Sequence, residues 1–370
     1  MPKSVTFGQE FAQNSGMTAS PRATLTDVAS AAGVSVSTAS RALRGRGDLS
    51  AETRARVLAA AERLGHSRSG ERRGRPRSGT SLLFDLVLGH FHDPYTDEVT
   101  AGARTAAARL NYDLVLTAER ETPGDDWPAR IRSRGSAGVV LGLMVPTTKQ
   151  LAILRDADIP VVLLDPWADS SLPIPSVRTT DRAGGVDAAE HLIAQGAQRF
   201  IVIGGAPSYR YGRARVEGFE STVRRLLPEA PLVRAQADWS AAGARRAGNV
   251  ALSELRRRGG AGPVGLFACS DEMAAGTYRS AADAGLAIPE DIMVVGFDDV
   301  RGARWLRPPL TTVRQPIREM AASAIHALAA YAQGEPLSAS ITELPTRLVA
   351  RGSTRAEVSA ATPESVSAPR

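Results

Sequence analysis

The chain has 370 residues, 43% of them hydrophobic. That is enough for two or three domains with a sizeable core and excludes global disorder. No apolar run reaches the roughly 18 residues of a membrane span, and the first residues lack an apolar segment of signal-peptide length. The single cysteine, Cys269, excludes an internal disulfide and a cysteine-rich zinc site, so a cytoplasmic protein is expected. The net charge of +6 is unevenly placed: residues 23–80 hold 11 Arg against 5 Asp and Glu, whereas residues 81–370 hold 32 basic and 33 acidic residues. This asymmetry points to a polyanionic partner for the N-terminal part alone.

Residues 1–22 are rich in Ser, Gly, Gln and Asn, have no periodicity, and read as a disordered tail. Residues 23–66 then read as three short helices. The first is LTDVASAA, with Leu25, Val28, Ala29 and Ala32 on one face, Thr24 or Thr26 as its cap, and Gly33 ending it. The second is SVSTASRAL, opened by Ser35 and offering Val34, Ala39, Ala42 and Leu43 to a core. The third is SAETRARVLAAAERLG, with Ser50 as cap, Gly65 at its end, and Val57, Leu58, Ala61 and Leu64 inward. Residues 67–80 form a basic hinge or linker.

From Ser81 the texture changes. The segments LLFDLVL, YDLVLT, AGVVLGL, PVVLLD, RFIVIGG, VGLFACS and DIMVVGFDD are near-continuous apolar runs of strand length, as in parallel sheets buried on both faces. Ala-, Arg- and Glu-rich helical stretches separate them. The alternation predicts a doubly wound α/β architecture, and its length predicts two lobes. Residues from 353 read as a second disordered tail.

Gly33 permits a tight turn, and Ala29 and Ala39 allow close crossing of the first two helices, which makes a helix-turn-helix. Its second helix would present Ser35, Val36, Ser37, Thr38 and Arg41 to a major groove. Hydroxyls bond phosphates or bases, Val36 suits a thymine methyl, and Arg41 can fork onto guanine. Thr24, Thr26, Arg44 and Ser50 complete the candidate contacts of the headpiece. The alternative is an ordinary three-helix bundle that binds no DNA.

The block TLTDVASAAGVSVSTASRAL, followed by SAETRARVLAAAERLGH, closely resembles the headpiece of LacI/GalR-family transcriptional regulators. Later segments resemble the same family in order: AAEHLIAQGAQRFIVIGG, RVEGF, CSDEMAAG, IPEDIMVVGFDDV and PPLTTVRQP, so that the likeness covers about residues 24–351. The resemblance implies an N-terminal helix-turn-helix headpiece and a two-lobed periplasmic-binding-protein-like core of doubly wound parallel sheets, over residues 81–352. The chain would cross between lobes near 197 (195–200), 315 and 338 (332–344). It further implies a homodimer, or a dimer of dimers, on a near-palindromic operator in double-stranded DNA, with repression controlled by a small-molecule effector. A carbohydrate is the favoured effector; the alternatives are a purine or nucleoside, or a DNA-binding protein that responds to no effector. No C-terminal heptad repeat is evident, which favours the dimer.

By the same resemblance the effector contacts fall on Pro94, Tyr95, Asp181, Arg215, Trp239, Ser270, Asp298 and Gln315. The residue types suit a polyol, since Asp and Arg bond vicinal hydroxyls and an indole packs on sugar C–H groups. Asp271 reads as a helix cap or a ligand contact, Asp299 as structural, and Trp167 and Trp305 as core or interface residues.

The hinge departs from the family. Where relatives carry an Asn- and Ala-containing helix with a leucine wedge for the minor groove, this chain has Ser69 and Arg75, and Gly70, Gly74 and Pro76 disfavour helix. Arg72, Arg73, Arg75 and Arg77 are expected to act on phosphates or on a narrow minor groove instead. Alanine at all four should weaken operator binding and lower its salt slope. Unchanged affinity and slope would remove that role.

An enzyme is the rival class. The pattern Gly260, Gly262, Gly265 is a literal G-x-G-x-x-G but precedes a strand, so it cannot set a helix N-terminus on a pyrophosphate. His90 and His92 are the only close histidine pair. No catalytic residue, metal or cofactor is expected. A secreted sugar-binding protein would explain the lobes but not the headpiece.

Overall fold

The computed structural model describes residues 24–43, 49–64, 81–89, 91, 93–118, 126–168 and 173–354. Arg44, the Gly65 end of the third helix, the hinge residues Arg72, Arg73, Arg75 and Arg77, His90 and His92 lie outside them. The chain divides into two compact units after Arg77.

The headpiece comprises α1 (Leu25–Ala32), α2 (Val36–Leu43) and α3 (Ala51–Arg63). Thr24 caps α1 in a reciprocal box with Asp27, and Gly33 ends the helix in the left-handed region at φ +62°. Ser35 Oγ accepts from the Thr38 amide at 3.1 Å and so opens α2. The core is small-residue packing: Val28, Ala29, Ala32, Ala39, Ala42, Leu43, Val57, Ala60 and Ala61. Two expectations change. Leu58 and Leu64 are exposed, and Ala60 takes the inward place: the row 57, 60, 61 faces the alanine-rich α1–α2 pair, Leu58 lies a further 100° round the helix, and Leu64 is the C-cap beyond the last turn of α3.

The second unit holds two lobes. The first contains β1 (Leu83–Leu88), α4 (Pro94–Arg109), β2 (Asp113–Ala118), α5 (Trp127–Arg134), β3 (Gly138–Gly142), α6 (Thr148–Arg155), β4 (Val161–Leu164) and β5 (Ser176–Thr179). The second contains α7 (Asp181–Ala194), β6 (Arg199–Gly204), α8 (Arg210–Leu226), β7 (Leu232–Gln236), α9 (Ala241–Arg258), β8 (Val264–Ala268), α10 (Asp271–Asp283), β9 (Ile292–Asp298), a 3-10 turn (Arg301–Arg304) and β10 (Thr311–Arg314). The chain returns to the first lobe with α11 (Ile317–Ala332), packed on α4, and β11 (Ile341–Leu344), and ends in the second with β12 (Arg347–Val349). The sheets run β11-β5-β4-β3-β1-β2 and β12-β10-β9-β8-β6-β7. Every strand pair is parallel except β10–β12. Among the described residues, no helix is long and apolar enough to cross a membrane.

The crossings differ from expectation at two of three places. The chain leaves the first lobe at Thr180, not near 197, because α7 already packs on α8. It crosses back beside Gln315, between β10 and α11. It crosses last at Pro345–Thr346, beyond the expected 338, because Ile341–Leu344 still pairs with β5 of the first lobe. Ser353 and Thr354, expected in the tail, are buried; Ser353 Oγ donates to the Val294 carbonyl at 2.6 Å and accepts from the Thr311 amide at 2.7 Å. Trp305 is 68% exposed and so is no core residue.

Candidate functional site

In the headpiece, α2 turns Ser37, Arg41 and Val36 outward, with Val36 44% exposed, while its opposite face fills the core. A helix held by an αL glycine turn, with small hydroxyls and an arginine on its free face, has the form of a groove-reading helix. Thr24 and Ser50, expected as DNA contacts, have structural work as well. Each caps a helix, Ser50 accepting from the Thr53 amide at 3.2 Å. Ser35 is bonded to the hydroxyls of Ser37 and Thr38 at 2.8 Å. Thr26 is exposed.

In the second unit the polar side chains gather where the strands of both sheets end, the carboxyl-end crevice that binds ligands in open α/β sheets. Arg215 is their centre. The helix α8 carries it against α7, and the two helices touch backbone to backbone. A Cβ on Gly185 would meet the Arg215 carbonyl at 2.1 Å, and one on Gly218 would meet the Arg182 carbonyl at 2.1 Å. The close crossing brings Asp181, the first residue of α7, within reach. Arg215 Nε donates to Asp181 Oδ1 at 2.9 Å and Nη1 to the Cys269 carbonyl at 2.8 Å, with Asp298 Oδ1 at 3.6 Å. Its guanidinium lies 3.7 Å from the centre of the Phe297 ring. Burial opposes its charge, but Asp181, Asp298 and Asp165 outweigh burial, so it stays protonated.

Asp298 ends β9 at φ +117°, a sparsely populated conformation that costs of order 1–3 kcal/mol. Gln315 Nε2 donates to it at 2.6 Å, and Gln315 Oε1 is buried with no hydrogen-bond partner. Trp239 also has a left-handed backbone, φ +67°, and its buried Nε1 has no hydrogen-bond partner. Its ring lies on Gly205 and Gly212, where a Cβ would meet it at 2.1 and 3.0 Å, and beside Tyr211 and Tyr209 at 5.3 and 6.0 Å. The orphaned amide oxygen and indole N–H are an acceptor and a donor for polar groups such as hydroxyls.

Tyr95 enters from the first lobe, its hydroxyl donating to Asp165 Oδ2 at 3.3 Å; Pro94 is the exposed first residue of that helix. Ser270 is a cap, accepting from the Met273 amide at 3.1 Å. Asp271 is therefore not the cap. Its carboxylate takes the Val300 amide at 2.9 Å and the Thr312 hydroxyl at 2.5 Å. Asp299 is held by Arg314 and Arg351, a structural pairing. Sequence reasoning missed Asp165, Tyr209, Arg210 and Tyr211. Their signal was position: each follows directly on a strand or on its connecting loop. Trp167, expected in core or interface, sits beside Tyr209 at 6.5 Å with its carbonyl accepting from the Arg210 amide at 2.7 Å.

Burial pushes Asp298 up to about 7 and Asp165 up to about 6, against the attraction of the arginines. Burial likewise pushes the Cys269 thiol up to about 12, which leaves it inert. A carboxyl that holds its proton more tightly folded than unfolded favours the fold at low pH. That contribution is lost as pH rises from about 4 through about 7. Asp298→Asn should therefore flatten the decline in stability with pH. Relative to the parent, the variant should melt higher at pH 8 than it does at pH 5. Melting curves of both proteins at pH 5 and pH 8 check this.

The model of bacterial regulatory proteins of the lacI family matches residues 24–69, and that of the periplasmic binding protein-like domain matches residues 189–354. The HTH-type transcriptional regulator MalR of Streptomyces coelicolor is 33% identical over 340 residues, which cover 89% of this chain and 96% of that protein. The ribose operon repressor of Halalkalibacterium halodurans is 31% identical, covering 90% and 97%. The lac repressor dimer bound to operator and the anti-inducer ONPF superposes with a TM-score of 0.66 at 26% identity, covering 91% of this chain and 100% of that one. With a helix-turn-helix headpiece and a two-lobed core joined by three crossings, the chain belongs to the lacI family of DNA-binding transcriptional regulators.

Proposed function

We propose that the protein is a carbohydrate-responsive repressor. Its headpiece reads a near-palindromic operator in double-stranded DNA as a homodimer, and its interlobe cleft binds the effector. The observation that carries the effector reading is Arg215: a buried guanidinium between Asp181 and Asp298, beside the unpartnered Gln315 Oε1 and Trp239 Nε1. This is an alternating set of acceptors and donors beside aromatic faces, suited to a polyol. The ribose operon repressor supports the sugar class. The operator-bound lac repressor dimer supports the assembly.

Pro94, Tyr95, Asp181, Arg215, Trp239, Asp298 and Gln315 are the effector contacts in this reading, with Ser270 contributing through its hydroxyl proton. Thr26, Ser35, Val36, Ser37, Thr38, Arg41 and Arg44 are the DNA contacts, with Thr24 and Ser50 at helix starts, and Arg72, Arg73 and Arg75 on the hinge. Effector and operator are coupled through differential affinity for two dimer states, at about 1–3 kcal/mol or 5- to 150-fold in operator affinity. Selection from random duplex DNA tests the first half: the full chain enriches a palindrome and a chain lacking residues 1–66 enriches nothing. Titration of that operator complex with pentoses, hexoses and disaccharides tests the second. Complete indifference to every sugar would reject the carbohydrate reading.

A further inference from the structure

We propose that Arg210 is a positioning residue of the effector cleft: a clamp that ties the two lobes together without any ligand and so sets how much closing the effector itself must drive. The proposal rests on the cleft being the effector site. Arg210 is the first residue of α8, in the second lobe. Its Nη2 donates at 2.8 Å to Asp165 Oδ1, at the end of β4 in the first lobe. Its Nη1 donates at 3.1 Å to Asp181 Oδ2, at the start of α7 in its own lobe. Its backbone amide donates across the cleft to the Trp167 carbonyl at 2.7 Å. All three acceptors belong to segments next to an interlobe boundary or strand end, and two of the three lie in the lobe opposite Arg210.

The clamp is buried on both sides. The Arg210 side chain is 11% exposed and the Asp165 side chain 2%. Tyr95 bonds Asp165 from its own lobe, and Tyr209 and Trp167, close in sequence to Arg210 and Asp165, meet edge to face. Bonds to charged groups in such a setting are individually worth about twice neutral ones. The groups that face Asp165 are Asp181, Asp298, Arg210, Arg215, Tyr95 and Tyr211. Three carboxylates thus share two guanidiniums. Arg210 is the one that reaches the first-lobe carboxylate, while Arg215 bonds within the second lobe. Without Arg210, Asp165 and Asp181 would repel across the cleft with no cation bonded to both.

A protein clamped closed before the effector arrives loses less to closure on binding, and the apparent Kd improves by the fraction already competent. A partly open variant binds more weakly with the same contacts.

The test reads the lobes directly. Spin labels are placed on K149C in the first lobe and S253C in the second, both exposed, with buried Cys269 left unlabelled. Labelled chains are diluted with unlabelled protein so that only intrachain distances are read, and no sugar is added. The parent should show one narrow distance distribution. R210A and the near-isosteric D165N should each broaden it towards longer distances, the double variant no further than either, and R210K should recover part of the closed population. In sugar titrations R210A should bind roughly tenfold more weakly. If R210A and D165N both keep the parental distribution, the clamp does not exist. A narrow parental distribution that both variants broaden, with no binding of any sugar by the parent, would instead leave the clamp standing and reject the cleft as a carbohydrate site.

Discussion

Replacing Arg215 with methionine is expected to weaken effector binding by about 2–5 kcal/mol, roughly 30- to 4,000-fold, and to destabilise the core by about 3–5 kcal/mol. The first loss follows if the guanidinium is the cleft's central donor. The second follows from what is left behind, since Asp181 and Asp298 stay buried and Asp181 keeps only Arg210. The Cys269 carbonyl also loses its donor. Arg215→Lys keeps the charge but not the planar fork that reaches Asp181 and the carbonyl together, so it should restore stability more than affinity. Calorimetric titration with the sugar that releases the operator, beside melting curves, separates the two effects. Unaltered binding by the methionine variant would move the effector out of this cleft.

The second large effect concerns DNA. Arg41→Ala is expected to cost about 1–3 kcal/mol of operator affinity and to relax base preference at one position in each half-site. Arg41 is an exposed side chain of α2, on the face away from the alanine core, so its loss leaves the headpiece fold intact. Binding to a panel of operators with single substitutions distinguishes base reading from phosphate contact. A phosphate contact would weaken all operators equally and lower the salt slope by about one.

The strands legible in the sequence are those buried on both faces: 83–88, 138–142, 161–164, 199–204, 264–268 and 292–298 lie inside the apolar runs that marked them, and the half-exposed 113–118 came with them. The strands not legible are short and polar. SVRT, LVRAQ, TTVR, ITEL and RLV have no long run of apolar residues, and their place is set by pairing with neighbours far away in the chain. That is also why two lobe crossings were misplaced: β5 and β11, invisible as strands, lie directly before them. The headpiece core was legible as a pattern but not in every residue, because an alanine-rich groove selects a small face and leaves Leu58 outside.

The cleft divides along similar lines. Residues next to a strong strand, such as Asp298 and Ser270, were placed by likeness to relatives. Ser270 nevertheless proved to be a helix cap, a role readable from the S-x-x spacing to Met273. Arg210 and Asp165 were not found, because nothing in YRYG or LLDP shows that they meet across 45 residues of chain. Only the approach of the two lobes, with Asp165 at the end of β4 and Arg210 at the start of α8, brings them together.

The crossing segments have a mechanical consequence. Thr180 and Thr346 are joined side by side: the Thr180 amide donates to the Leu344 carbonyl at 3.2 Å, the Thr346 amide to Thr180 Oγ1 at 2.9 Å, and the two hydroxyls lie 3.1 Å apart. Two strands bonded edge to edge make a flat strap, which flexes across its thickness and resists shear and in-plane bending. The third segment, at Gln315, is anchored by its amide to the Asp298 carbonyl. The lobes are thereby given a flexure with one soft axis. They can tilt towards and away from each other, while sliding or twisting would break the threonine bonds.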